Sequence, residues 1–123
     1  MIVALFIMGA AVPQALLKRA DEASGAYVSC LFGVSRQANA ARLPVAEFER
    51  KLEASCQAEE RLVTDLDRRI FTLRGEPSPQ SLAEELARDA RRQVIESFRQ
   101  LPDQERALEE LGRTCQQNPE SCR

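Results

Sequence analysis

The sequence predicts an all-α fold: a small up-and-down bundle of three long helices plus a short fourth, stapled by two disulfides. Apolar residues recur at spacings of three and four through most of the 123 residues, the period of a helix with one buried face. No run alternates apolar and polar side chains with β-branched enrichment, so strands have no support. Four cysteines in a chain without histidine form an even set, which reads as a disulfide framework when an export signal precedes it.

Such a signal opens the chain. Residues 1–17 carry no charged side chain, with an apolar run from Ile2 to Met8 and small residues from Gly9 to Ala15. A signal peptidase could cut after Ala11 or Ala15, and residues 1–15 are expected to be removed, leaving one helical domain over 16–123. The usual basic stretch before the apolar run is missing, and Pro13 suits the second cut poorly. A membrane span needs about 18 strongly apolar residues, and Gly9, Pro13 and Gln14 interrupt this one. An uncleaved anchor or a further helix of the domain are the other readings of this segment. No cysteine follows a Leu-x-x in the manner of a lipoprotein signal.

The first helix is expected from Ala20 or Asp21 to Ala38, with Tyr27, Cys30, Leu31 and Val34 on one face and Gly25 and Gly33 as weak points. A turn follows from Asn39 to Leu43. Pro44 suits the first position of the next helix, where its missing amide would have had no partner. That second helix can run unbroken to Leu73, about 45 Å at 1.5 Å per residue, with Val45, Phe48, Leu52, Cys56, Val63, Leu66, Ile70 and Leu73 as its stripe. The stripe lapses at 57–61, where Glu59 or Glu60 falls at an apolar position. Either the long helix bends or protrudes there, or a carboxylate is buried with a partner that makes it tolerable.

The segment 74–79 breaks the chain, with Gly75 placed for a left-handed cap and Pro77 and Pro79 unable to continue a helix. The third helix begins with Ser81-Leu82-Ala83-Glu84, which has the form of a capping box. Leu82, Leu86, Ala90, Val94 and Phe98 then recur at steps of four, and Ile95 and Leu101 widen the row. Pro102 ends or kinks this helix and opens a short one from Asp103 to Arg113 that buries Ala107, Leu108 and Leu111. The residues from Thr114 onward read as an irregular tail.

Cys30 and Cys56 each lie 13 residues from Leu43. Two antiparallel helices joined near that residue bring equidistant positions to the same height, so these cysteines are expected to pair. Closing that loop is worth about 3–4 kcal/mol. Cys115 and Cys122 are then left to pair across a short loop holding Asn118 and Pro119, both good turn residues. Zinc is not expected, since neither a Cys-x-x-Cys pair nor a histidine is present, and the motif of a thioredoxin-like redox centre is missing as well.

The 17 basic and 19 acidic residues nearly balance, which gives no field for nucleic acid. Of the basic residues only Lys18 and Lys51 are lysine, a bias that goes with GC-rich bacterial genomes and hence with a periplasm. Without histidine, the serine and cysteine triads and most neutral-pH general bases are excluded. Paired acids drawn from Glu59, Glu60, Asp65 and Asp67 arise by chance on so acidic a helical surface, and an enzyme is not expected. Arg88, Arg92 and Arg99 share a helical face that could meet an anion, although Glu84, Glu85 and Glu96 lie close enough to neutralise it.

What remains is a non-catalytic secreted or periplasmic protein, expected to act as an interaction module of the cell envelope. Its partner would be another envelope protein or a second copy of itself; no cofactor and no metal are expected. A carrier of a small apolar ligand or lipid is the second reading. A membrane-anchored module is the third, if residues 1–17 are retained.

Overall fold

The computed structural model describes residues 11–122, which form four α-helices and one closing 3-10 turn: α1 (Gln14–Ala40), α2 (Val45–Ala54), α3 (Gln57–Leu73), α4 (Pro79–Gln117) and the turn Pro119–Cys122. The all-α bundle with two disulfides is therefore the fold, and no strand occurs among the described residues. α3 lies at its centre, packed on α1 and α4, while α2 covers the upper end of the α1–α4 seam.

α1 starts earlier than expected. Pro13 caps it, its carbonyl accepting from the amides of Leu16 and Leu17, and Val12, Leu16 and Leu17 are half-buried against the core. The first ten residues of the expected leader lie outside the described residues; Gln14 and Ala15 belong to the first turn of α1. The buried row is Ala20, Ala23, Tyr27, Leu31, Ser35 and Ala38, steps of three and four that hold one face of a helix. Cys30 and Val34 flank it half-buried. Arg42 then takes a left-handed conformation at φ 53°. The Leu43 amide donates to the Ala38 carbonyl and the Arg42 amide to that of Asn39, the double bond of a Schellman end. Gly75 at φ 76° closes α3 in the same way, with Glu76 donating to Phe71.

The single helix expected over 44–73 is two helices. Pro44 caps α2 from outside rather than opening it, α2 ends at Ala54, and Ser55 is extended while Cys56 stands left-handed at φ 63° as the cap of α3. The break falls just ahead of the lapse in the apolar stripe. It is stabilised from outside the segment: Cys56 is bonded to Cys30 with their Cα atoms 6.0 Å apart, and a side chain of α4 occupies the carbonyls that the break exposes. Phe48 and Leu52 of α2 are fully buried, and Phe48 stacks on Phe98 at 4.0 Å between ring centroids.

Two corrections concern α4. Ser78 caps it with Pro79 in its first turn, so Ser81 lies inside the helix and forms no capping box. The buried row is Ala83, Ala87, Val94 and Phe98, whereas Leu82 is half-buried and Leu86 exposed. Alanine wins because the inner face of α4 meets Tyr27 of α1 at its backbone, the tyrosine hydroxyl donating to the Ala87 carbonyl at 3.1 Å. A leucine there would hold the helices apart. Pro102, expected to end the helix, sits within it. It removes one amide from the ladder, and good helix formers on both sides, Gln100 and Leu101 before it and Glu105, Ala107 and Leu108 after it, carry the helix through. No separate fourth helix buries Ala107, Leu108 and Leu111; all three are exposed on α4, and Leu101 is the last of its described side chains packed against the core. The tail is ordered too, by the 3-10 turn and the Cys115–Cys122 bridge.

Two disulfides mark a chain that matures in an oxidising environment. Among the described residues no helix is long and apolar enough to cross a membrane.

The bridges are unequal in what they hold. Replacing Cys30 and Cys56 together by alanine is expected to cost about 3 kcal/mol in urea unfolding, because that bridge ties two core elements. Replacing Cys115 and Cys122 by serine is expected to lower the unfolding free energy by less than about 0.5 kcal/mol, since that loop closes outside the core.

Candidate functional site

The densest polar cluster is built around Arg91, a residue of the third predicted helix that sequence reasoning did not single out. α4 carries Arg91 into the angle between α2 and α3, where its side chain is only 14% exposed. Its guanidinium donates to the Glu60 carboxylate through Nε at 2.7 Å and through Nη2. It also donates to the backbone carbonyls of Leu52 and, at 3.0 Å, Ser55. Those carbonyls belong to the end of α2 and the residue after it, groups that a helix leaves without partners. The cation stands where the negative end of the helix dipole favours it.

Tyr27 completes the cluster from α1. Arg91 lies 5.6 Å from the centre of its ring, within cation–π range. The tyrosine hydroxyl has the Ala87 carbonyl and, at 3.3 Å, the Glu60 carboxylate as acceptors. Burial pushes the Tyr27 hydroxyl up to about 12, with the Glu60 charge adding to the effect and Arg91 opposing it. Every helix of the bundle thus contributes a group to one knot. Tyr27, Glu60 and Arg91 fasten the four helices to one another. Glu60, expected as a buried carboxylate only if partnered, has that partner.

The remaining sequence-selected residues are dispersed. Arg92 pairs with Asp89 at 3.4 Å, and Arg99 with Glu49 of α2 at 2.7 Å and Glu96 at 3.9 Å. Arg88 is exposed with no ion pair among the described residues and lines two open grooves beside Arg91, of about 510 and 420 Å³. Two of the three arginines are thus neutralised locally. Asp65 bonds Arg68 at 2.8 Å and pairs with Arg69; the hydrogen bond from Arg68 holds its carboxyl below the usual range, against a smaller opposing effect of burial. Burial raises Asp67 instead. Cys30 pairs with Cys56 and Cys115 with Cys122. With its sulfurs joined, the cluster of Cys30, Cys56 and Glu59, whose donor atoms lie within 4.8 Å of one another, offers a cation a single carboxylate.

Two features lie away from this cluster. An open groove of about 720 Å³ runs between the α1–α2 turn, at Leu43, Pro44 and Val45, and α4 at Phe98 and Pro102. Beyond it, Leu108 and Leu111 stand 67% and 57% exposed on the distal part of α4. The chain matches no family model and no curated protein, and its fold matches no solved structure.

Arg91→Met, which keeps length but removes every donor, is expected to cost about 2–4 kcal/mol in urea unfolding, because Glu60 and two carbonyls lose their partner. Arg91→Lys should recover less than half of that, since an ammonium cannot span the same acceptors.

Tyr27 is the one tyrosine and the chain has no tryptophan, so ultraviolet titration of the phenolate reads this residue alone. Its midpoint is expected near 12 in the folded protein and about 10 in denaturant. The unfolded chain therefore loses this proton first as pH rises, and stability should fall from about pH 10 upward. A folded-state midpoint near 10 would contradict the buried placement.

Proposed function

We propose that this is a non-catalytic exported protein that presents the distal part of α4 to another protein of the cell envelope. The observation that supports it is the pair Leu108 and Leu111, exposed on a helix whose core contacts end at Leu101. A monomer that keeps two leucines in water on an ordered helix, and closes the tip of that helix with its own disulfide, has the attributes of a recognition surface rather than of a frayed end. The two disulfides, the apolar opening and the arginine bias support a bacterial periplasm as the compartment. The absence of histidine and the fastening role of the Arg91 cluster support a role without catalysis.

A carrier of a small apolar ligand is the second reading. It is favoured by the groove at Leu43, Pro44, Val45 and Phe98, whose open shape fits transient rather than enclosed binding.

Photo-crosslinking in cells separates these. A photoreactive residue at position 108 or 111 is expected to give discrete protein adducts, while one at Leu62, which is 50% exposed on α3, gives none. Equal labelling at all three positions, or none at any, would remove the proposed surface.

A further inference from the structure

We infer that the distal part of α4 is a self-association surface, on which a second copy of this chain lies antiparallel, Leu108 of each copy packed on Leu111 of the other. The inference rests on the reading of this segment as a recognition surface and names its occupant. Val94, Leu101, Leu108 and Cys115 stand seven residues apart, so one row of α4 runs on past the bundle in the register of a coiled-coil seam. The bundle buries Val94 and half-buries Leu101, and it leaves Leu108 and Leu111 in water. At 3.6 residues per turn, Glu109, Glu110 and Arg113 fall on the side of the helix away from that row.

The order of residues points to a second copy as the partner. From 107 to 112 the chain reads Ala-Leu-Glu-Glu-Leu-Gly, the same succession of small residue, leucine and acid in both directions. A two-fold axis between Glu109 and Glu110 therefore sets leucine on leucine in two equal layers. Such a contact uses one patch twice and closes at a dimer. Ala107 and Gly112, exposed beside the leucines, let the two helices approach closely. The Glu105 carboxylates of the two copies fall at opposite ends of the seam and do not oppose each other. The two bundles likewise stand at opposite ends of the pair.

The same axis gives the open groove an occupant. Pro102 lies as far before it as Gln117, the last residue of α4, lies after it. The tip of the second copy thus arrives beside Pro102, where the groove of about 720 Å³ opens between α4 and the α1–α2 turn. That tip carries bulk on the seam side, because Cys115, in the row of Leu108, is bonded to Cys122 of the closing 3-10 turn. A continuous helical wall would exclude this bulk. The groove, with Leu43, Pro44, Val45 and Phe98 among its walls, leaves room for it.

The test uses the oxidised chain as exported, with both disulfides formed. Sedimentation equilibrium from low micromolar to millimolar protein is expected to show reversible association to twice the chain mass. Leu108→Glu and Leu111→Lys, made separately, should each weaken it by about a hundredfold, since each change enters the seam twice. Helical circular dichroism and the urea midpoint should stay unchanged, because neither leucine is in the core. Mixing the two variants should restore the dimer: the antiparallel pair sets the new carboxylate against the new ammonium in one layer and leucine against leucine in the other. A parallel pair would gain nothing from mixing. A protein that is monomeric throughout the range, an association that survives both substitutions, or variants that do not recover on mixing would each overturn the proposal. A monomer whose photo-adducts at 108 or 111 are other proteins would keep the recognition surface and remove only the second copy; a monomer without adducts would remove both.

Discussion

Arg91 is the group on which the geometry of this bundle depends. A chain of this size holds one core, and its helix order places two helix ends, the finish of α2 and the start of α3, against the middle of α4 rather than in water. Exposed carbonyls at such a place need donors. One guanidinium supplies them and meets the Glu60 carboxylate at the same time. The left-handed Cys56, the stop of α2 and the height of Tyr27 are all consistent with that single donor set, and they would be unrelated oddities without it.

The packing around the knot follows from side-chain size. Ala20 and Ala23 on α1 and Ala83 and Ala87 on α4 are buried, which lets helices approach closely where Tyr27 must reach a backbone carbonyl. Phe48 of α2 stacks on Phe98 of α4, and Tyr27, Leu31, Leu52, Leu66 and Val94 supply the rest of the bulk in the core.

Much of this was legible in the sequence, and what was not has identifiable reasons. The helical class, both cysteine pairings, the end of α3 at Gly75 and the apolar faces of α1, α2 and α3 follow from period and spacing alone. The break at Ser55–Cys56 does not, because Ser-Cys carries no stop signal of its own; the reason lies 36 residues away in Arg91. Arg91 itself looked like one more arginine on a charged helix, and only tertiary placement distinguishes it from Arg88 and Arg92. A hint was present in the lapse of the stripe at Glu60, which called for a cation. On α4, leucines outrank alanines in any hydrophobic count, so the Leu82–Leu86 row was favoured over the Ala83–Ala87 row that is buried. Pro102 reads as punctuation because its cost is local and visible, while the helix formers around it act collectively.

Among the described side chains of α4, none after Leu101 belongs to the core, and the Cys115–Cys122 loop secures its tip separately. Sequence change there can alter what the helix contacts without altering whether the protein folds. The molecule thus divides its constraints in space: the bundle is tied by the geometry of a single arginine, and the last turns of α4 by a disulfide of their own.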